Sequence, residues 1–192
     1  MKTYVFIFDG FVQFEIMLAT YFLKSRGEIV PFAISKDPVT SYEGFSILPF
    51  CSIEQVDVER VDLLVIPGGD VSGVALNKHL HELLQHLHQK KRGIGAICAG
   101  TLLLGQAGVL NGHSFTTNSI EEMEKLGRQG TFLNTDVVTD RHIVTAKANA
   151  YVDFGIELGK LMDIYENEQD LDETISFFKY FKPLSPNERG GV

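Results

Sequence analysis

Cysteine is scarce in this sequence, and its scarcity excludes two kinds of protein. Only Cys51 and Cys98 occur among the 192 residues, and no Cys-x-x-Cys pair is present. Two cysteines so far apart in the chain indicate neither a disulfide framework nor a thiolate metal site. We therefore predict a protein without a metal or a cofactor, in which Cys51 is a structural residue.

Basic residues are outnumbered, and long apolar runs are missing. The chain has 17 Lys and Arg against 25 Asp and Glu, a net charge of −8. This balance argues against nucleic acid or an anionic membrane as a partner, because both require clustered basic residues. No apolar run approaches the ~20 residues that span a bilayer. The first residues enter an apolar strand without the pattern of a signal peptide, so we expect a cytoplasmic protein.

Apolar runs alternate with segments of helical periodicity. Continuous apolar runs predict buried strands at 5–8, 29–34, 61–66 and 93–97. Apolar residues at helical spacing predict helices at 14–26, 77–91, 99–107 and 151–164. This order predicts an α/β fold, with a mostly parallel central sheet and helices on both faces.

Shorter segments complete the prediction. Turn residues between apolar residues predict hairpins at 39–48 and 137–144, and a capping pattern at Ser119 predicts a helix at 120–126. No linker and no repeat divides the chain. We therefore predict one domain over 1–192, with a loose tail at 182–192.

Cys98 occupies the sharpest turn that the sequence predicts. A buried strand ends at Ile97, a helix begins within two residues, and the neighbours Ala96, Ala99 and Gly100 are small. The arrangement is similar to a nucleophile elbow with cysteine in place of serine. A helix N-terminus favours an anion, so we predict a reactive thiol with a pKa below the ordinary ~8.5. A buried and inert cysteine is the alternative.

Two more segments follow predicted strands and carry polar groups. Gly68 and Gly69, between Pro67 and Asp70, allow close approach of the backbone and offer N–H groups to an oxyanion. Glu15 begins the first helix, where it either complements the helix N-terminus or faces Cys98 as a general acid or base. Sites in parallel sheets form beyond the carboxyl ends of strands. Three such ends carry polar groups here, at residues 9–15, 67–70 and 98, and the spacing does not specify whether Glu15 faces Cys98.

Together these segments resemble the DJ-1/PfpI superfamily. The shared pattern consists of Gly10 followed by Glu15, Ile66-Pro67-Gly68-Gly69, Ala96-Ile97-Cys98-Ala99-Gly100, and Thr116-Thr117 before a helix. It covers about residues 2–165 and is closer to the DJ-1-like members than to the PfpI proteases.

The resemblance implies a fold, a site and an assembly. The fold is a flavodoxin-like three-layer sandwich, and the assembly is a homodimer, for which we expect the first helix to form the interface. Cys98 is implied as a nucleophilic or oxidisable thiol and Glu15 as its acidic partner. Backbone N–H groups of Gly69 and Ala99 are implied as donors.

Histidine is missing from both positions where the family places it. Many members carry histidine shortly after the Thr-Thr pair, where this chain has Asn118. The protease-like branch carries it directly after the cysteine, where this chain has Ala99, and the isonitrile hydratase branch tends to have threonine there. Asparagine forms hydrogen bonds but cannot shuttle a proton, so the usual Cys–His–acid hydrolase is not predicted. His113 is a candidate to replace the missing histidine, but we favour a loop or surface position for it. The spacing of His81 and His88 in the 77–91 helix could suggest a metal site, but we interpret the histidines of this helix as a solvated face.

Three functions remain open. As an enzyme, the protein would use Cys98 to attack a small electrophile, in glyoxalase- or deglycase-like chemistry on 2-oxoaldehydes or in the hydration of isonitriles. As a sensor, it would oxidise Cys98 to a sulfinate. As a binding module, it would hold a metabolite without turnover. We favour the enzyme. The predicted pocket residues are Gly68, Asp70, Thr117, Asn118, Tyr42, Asn149 and Tyr151.

Overall fold

A seven-stranded sheet forms the centre of the protein, as seen in a computed structural model that describes residues 1–125 and 130–183. The strands are β1 (Lys2–Phe6), β2 (Glu28–Ala33), β3 (Val39–Thr40), β4 (Ser46–Ile47), β5 (Cys51–Ser52), β6 (Leu63–Ile66), β7 (Gly93–Ile97), β8 (Ser114–Phe115), β9 (Thr131–Phe132), β10 (Val137–Asp140) and β11 (Ile143–Ala146). The helices are α1 (Phe14–Lys24), α2 (Lys78–Gln89), α3 (Gly100–Gln106), α4 (Ile120–Lys125), α5 (Tyr151–Leu161) and α6 (Glu168–Phe178).

The central sheet is mostly parallel. Its strand order is β10-β11-β7-β6-β1-β2-β5, and only the β10–β11 pair is antiparallel. All four residues of Leu63–Ile66 are buried, as are all five of Gly93–Ile97. Such continuous apolar runs are typical of strands that helices cover on both faces. The predicted α/β fold is therefore confirmed.

The helices lie on opposite faces of the sheet because the chain adds strands on both sides of β1. The connection from β1 to β2 moves toward one edge of the sheet, and the connection from β6 to β7 moves toward the other. Right-handed crossovers then require the helices of the two connections to cover opposite faces. In agreement, α1 packs against α5, and α2 packs against α3.

This reversal of direction creates a crevice. In open α/β sheets, ligands bind at the carboxyl ends of the strands where the strand order reverses. Here that place lies between β1 and β6, with β7 beside them. The segments that follow these three strands carry Glu15, Gly68 and Cys98.

Several local predictions can be compared with the structure. The hairpins are confirmed as β3–β4 and β10–β11, both antiparallel. Cys51 lies in β5, where it pairs with Phe32 at the edge of the sheet. The helix predicted at 120–126 is seen as α4 up to Lys125, and Leu126 lies outside the described residues. The tail at 182–192 lies outside them from residue 184 onward.

The helices were also compared with the requirements of a bilayer. Within 1–125 and 130–183, none of them combines the length and the apolar character that a membrane crossing needs.

Candidate active site

Cys98 stands in a strained turn between β7 and α3. Its φ of +56° is in the left-handed region, which a residue with a side chain rarely adopts. The backbone N–H of Cys98 donates to Ala146 O over 2.9 Å, and Thr101 Oγ1 donates to Cys98 O over 2.7 Å. These bonds hold the turn from β11 and from α3. Strain that the surroundings maintain in this way is common at functional sites.

The small residue after the turn is required by close packing. A Cβ atom on Gly100 would lie only 2.5 Å from Pro67 O, a distance at which the backbone would have to move. The segment after β6 therefore contacts the beginning of α3 directly. This contact brings Gly68 and Gly69 next to Cys98.

Glu15 is a buried carboxylic acid at the beginning of α1. Its side chain is 2% exposed, and its Oε2 accepts a hydrogen bond of 2.8 Å from the Gly68 N–H. A buried carboxyl group needs such a partner because desolvation disfavours its charge. The bond also ties the first turn of α1 to the segment that follows β6.

The side chains of Glu15 and Cys98 meet next to Gly68. A Cβ atom built on Gly68 would lie 2.6 Å from Glu15 Oε2, 2.6 Å from Cys98 Cβ and 2.9 Å from Cys98 Sγ. The carboxyl and thiol groups thus face each other across a residue without a side chain. Any larger residue at position 68 would separate them.

Gly69 completes the backbone around the thiol. It adopts a φ of +118° and forms a bridge with Phe11, so close that a Cβ atom would lie 2.2 Å from Gly10 O. The N–H groups of Ala99 and Gly69 interact with the Cys98 thiol and lower its pKa. Both donors predicted from the sequence therefore lie at the sulfur.

The thiol pKa differs from the sequence-based expectation. Burial and the charge of Glu15 raise the pKa of Cys98 to about 11, and the two N–H groups offset only part of this effect. The expectation of a lowered pKa was therefore wrong, because it considered the helix N-terminus without the burial of the thiol and the charge of Glu15. Burial also raises the pKa of Glu15, and the charge of Glu43 adds to the increase. The two groups thus compete for protons, as coupled neighbours do.

Thr117 and Asn118 lie near the turn but are already occupied by hydrogen bonds. Thr117 is buried, and its hydroxyl lies 2.6 Å from Thr101 Oγ1. Asn118 is exposed, and its Oδ1 accepts a hydrogen bond of 2.6 Å from Ala148 N–H. Asn118 therefore joins the loops after β8 and β11, with no proton to transfer.

The other predicted pocket residues have different surroundings. Tyr151 packs edge-on against Phe14, next to Glu15, with ring centroids 5.5 Å apart. Tyr42 and Asn149 are exposed. Asp70 accepts a hydrogen bond from Ser72 N–H and lines a separate cavity of about 430 Å³ near β1 and β2. Of the predicted set, the structure thus gathers Glu15, Gly68, Gly69, Cys98 and Ala99.

Two features of the structure were not predicted from the sequence. Glu43, in the β3–β4 turn, accepts hydrogen bonds from the first turn of α1, and no motif indicated this contact. His88, His113 and His142 form a cluster with ring centroids 5.1–5.6 Å apart. His113, expected in a loop or at the surface, lies in the loop before β8 but is buried, with 2% of the residue exposed. Residues so distant in sequence meet only because the sheet places α2 beside the β10–β11 hairpin.

Comparisons with known proteins agree with this architecture. A DJ-1 superfamily protein from Agrobacterium tumefaciens superposes with a TM-score of 0.84 at 26% identity, over 95% of this chain and all of the other. DJ-1beta of Drosophila melanogaster gives a TM-score of 0.79 at 21% identity, over 95% of this chain and 98% of the other.

Sequence relatives carry two kinds of name. An uncharacterised protease of Bacillus subtilis is 26% identical over 96% of this chain and 92% of its own length. A deglycase of Thermococcus kodakarensis is 24% identical over 77% of this chain and 90% of its own length. The DJ-1/PfpI family matches residues 1–161, most of the chain. The protein therefore belongs to the DJ-1/PfpI family.

Proposed function

We propose that the protein is a cysteine-dependent enzyme that acts on small electrophilic metabolites, with 2-oxoaldehydes or their adducts as the favoured class. The observation that carries the proposal is the meeting of the Cys98 thiol and the buried Glu15 carboxyl across Gly68. A nucleophile beside a group that takes its proton is the general requirement for covalent catalysis.

The proposed chemistry assigns one role to each group. Cys98 Sγ attacks the carbonyl carbon of the substrate while its proton passes to Glu15. The N–H groups of Gly69 and Ala99 stabilise the oxygen as it becomes negative. Glu15 then returns the proton; burial raises the pKa of Glu15, which makes the carboxylate a better proton acceptor.

Glu15 acts alone in this proposal. The position that many family members occupy with histidine is Asn118, whose Oδ1 is engaged by Ala148. An amide cannot take up or release the proton, so Glu15 performs every transfer. We expect slower turnover than in a site with a histidine.

The substrate class is supported by the relatives. Several relatives are named deglycases, among them one of Pyrococcus furiosus that is 25% identical over 77% of this chain. Hydration of isonitriles would use the same nucleophile and the same donors and is the second substrate to examine.

An oxidation sensor is the second candidate function. It is favoured by the partial exposure of Cys98, whereas Cys51 is buried. The N–H groups of Gly69 and Ala99 would then hold a sulfinate oxygen. In this function Glu15 stabilises the oxidised cysteine and transfers no proton.

Turnover of methylglyoxal tests the enzyme directly. We expect Cys98→Ser to abolish consumption and Glu15→Gln to reduce it by about 10²-fold or more, as for loss of a general acid–base. Cys51→Ala is the matched control and retains activity, because Cys51 lies in β5, at the far edge of the sheet. Failure of the wild type to consume methylglyoxal or an isonitrile, with sulfinate formation in peroxide, would favour the sensor.

The rate of Cys98 alkylation by iodoacetamide against pH tests the proton transfer. If Glu15 takes the proton, Glu15→Gln alkylates more slowly than the wild type at pH 7. If Glu15 only repels the thiolate, Glu15→Gln removes the second cause of the raised pKa of Cys98, after burial, and alkylates faster. The sign of the change therefore decides the role of Glu15, and mass spectrometry separates Cys98 from Cys51.

We also infer a homodimer with α1 in its interface. Three large apolar side chains, Phe14, Met17 and Tyr21, lie on the outer face of α1, and each is about half exposed or more. Their spacing along the helix places them on one side. Contiguous apolar surface of this kind is typical of an interface between copies.

A further inference from the structure

The β3–β4 turn contributes a second acid to the surroundings of Glu15. The Glu43 carboxylate accepts hydrogen bonds from Phe14 N–H over 2.9 Å and from Gln13 N–H over 3.0 Å. Glu15 is the next residue of α1. A carboxylate from another part of the chain therefore holds the turn on which the candidate acid–base group stands.

The first turn of α1 has no cap of its own. Gln13 precedes the helix with helical backbone angles, and its side chain forms no capping hydrogen bond. The first N–H groups of a helix need acceptors, and a nearby anion also complements the helix dipole. Glu43 satisfies both needs, so the position of α1 depends on a residue outside it.

The turn that carries Glu43 is itself tied to the site. Tyr42 N–H donates to Phe11 O, and Gly10 N–H donates to Thr40 O, each over 2.8 Å. Phe11 in turn pairs with Gly69. The hairpin, the 10–14 segment and the donor loop after β6 thus form one connected backbone.

We propose that Glu43 is a positioning residue for the Cys98–Glu15 pair, which fixes the first turn of α1 and favours uptake of the thiol proton by Glu15. The proposal rests on the proposed function, since it assigns Glu43 an effect on the proton transfer. Glu43 binds the N–H group of Phe14, the residue before Glu15, and its charge raises the pKa of Glu15. A negative charge so placed favours protonated Glu15 and hence the thiolate.

Two variants separate the hydrogen bonds from the charge. Glu43→Gln retains an acceptor oxygen and removes the charge, whereas Glu43→Ala removes both. We expect Glu43→Gln to slow Cys98 alkylation at pH 7 by about threefold, the size of a half-unit shift. Glu43→Ala should slow it further, because the turn is then free to move Glu15. Glu54→Gln, the same change at an exposed acid in the loop after β5, is the control and should have no effect.

The titration of Glu15 gives an independent readout. In a Cys98→Ser background, the ¹³C signal of the Glu15 carboxyl group can be followed against pH, with Glu15→Gln to assign it. We expect Glu43→Gln to lower the midpoint of Glu15. An unchanged midpoint would overturn the role of Glu43, whatever the alkylation rates, even if the variant melts at a lower temperature.

The two readouts also distinguish the inference from the function on which it rests. A lowered Glu15 midpoint together with slower Cys98 alkylation supports both the role of Glu43 and the proposed proton transfer. A lowered midpoint with unchanged alkylation supports the control of Glu15 by Glu43 and counts against the proposed proton transfer. In the Glu15→Gln background, Glu43→Gln should no longer slow alkylation, and slowing there would show that Glu43 acts by another route.

Discussion

Gly68 is the residue on which the candidate site depends most. A single glycine such as Gly68 identifies no motif, yet the absence of a side chain at this position allows Glu15 and Cys98 to face each other. A glycine in a strand-ending turn is usually explained by backbone conformation. Here the reason is space, because the positive φ belongs to Gly69 and not to Gly68.

Gly68→Ala tests this requirement. The added Cβ atom would lie 2.6 Å from both Glu15 Oε2 and Cys98 Cβ, so the two side chains must separate. We expect Cys98 alkylation at pH 7 to approach that of Glu15→Gln and stability to fall by about 1–3 kcal/mol, as for overpacking.

Gly73→Ala is the matched control for that substitution. A Cβ atom on Gly73 has nothing within 4 Å, and its φ is not in the left-handed region. Reactivity should be unchanged, and stability should be equal or higher by about 0.4–1 kcal/mol. Normal reactivity in Gly68→Ala would mean that the pair does not meet across this residue.

At the scale of elements, the contact between α2 and the β10–β11 hairpin brings together three imidazoles. His88 Nδ1 and His142 Nε2 lie 3.1 Å apart, and His113 is buried beside them. Burial and the neighbouring His88, His113 and Arg141 lower the pKa of His142 to about 4. Asp140 lies 3.5 Å from His113 Nδ1, and its charge raises the pKa of His113, opposite to the effect of burial.

The cluster predicts acid sensitivity. The pKa of His142 is lower in the folded state than its ordinary value of ~6.5, so between pH 6.5 and 4 the unfolded chain binds more protons. The contribution of His142 to the free energy of unfolding is therefore fully present above pH 6.5, and it is lost as the pH decreases toward 4. His88 and His113 contribute in the same direction, since burial lowers the pKa of each.

Urea unfolding at pH 7 and pH 5 measures this effect. In His142→Gln, the decrease in the free energy of unfolding from pH 7 to pH 5 should be about 1 kcal/mol smaller than in the wild type. The exposed His79→Gln serves as the control and should leave the loss as in the wild type. If the free energy of unfolding decreases equally in His142→Gln and in the wild type, groups other than His142 cause the acid sensitivity.

At the scale of the whole molecule, the outer face of α1 sets the proposed assembly. Its inner face packs against α5, and its first turn carries Glu15. A dimer interface on α1 would thus lie directly behind the candidate site. Assembly and the position of Glu15 would then be coupled through one helix.

Met17→Glu tests the assembly. A charge at the centre of an apolar interface is costly when the partner covers it, so we expect the variant to be monomeric in sedimentation velocity. Leu76→Glu, at an exposed apolar residue outside α1, should leave the dimer intact. A wild-type protein that sediments as a monomer at all concentrations would end the proposal of a homodimer.

Much of the site could be predicted because it depends on local patterns. Buried apolar strands are visible as continuous runs, and parallel strands place the residues that follow them at one edge. For this reason the Gly68–Gly69 segment and Cys98 could be named together from the sequence, whereas Glu15 was assigned as the acidic partner by the family resemblance. The hairpin at 39–48 was visible for a similar reason, since its turn residues lie next to each other in the chain.

The rest depended on contacts between residues that are distant in the chain. Sequence alone determined the α/β fold, the family and the turn that carries Cys98, because these follow from periodicity and from short runs of residues. Only the tertiary structure decided that Glu15 raises the pKa of Cys98, that Glu43 caps α1, and that His113 is buried with His88 and His142. Charge interactions and burial depend on distance in space, and no spacing along a chain specifies that distance.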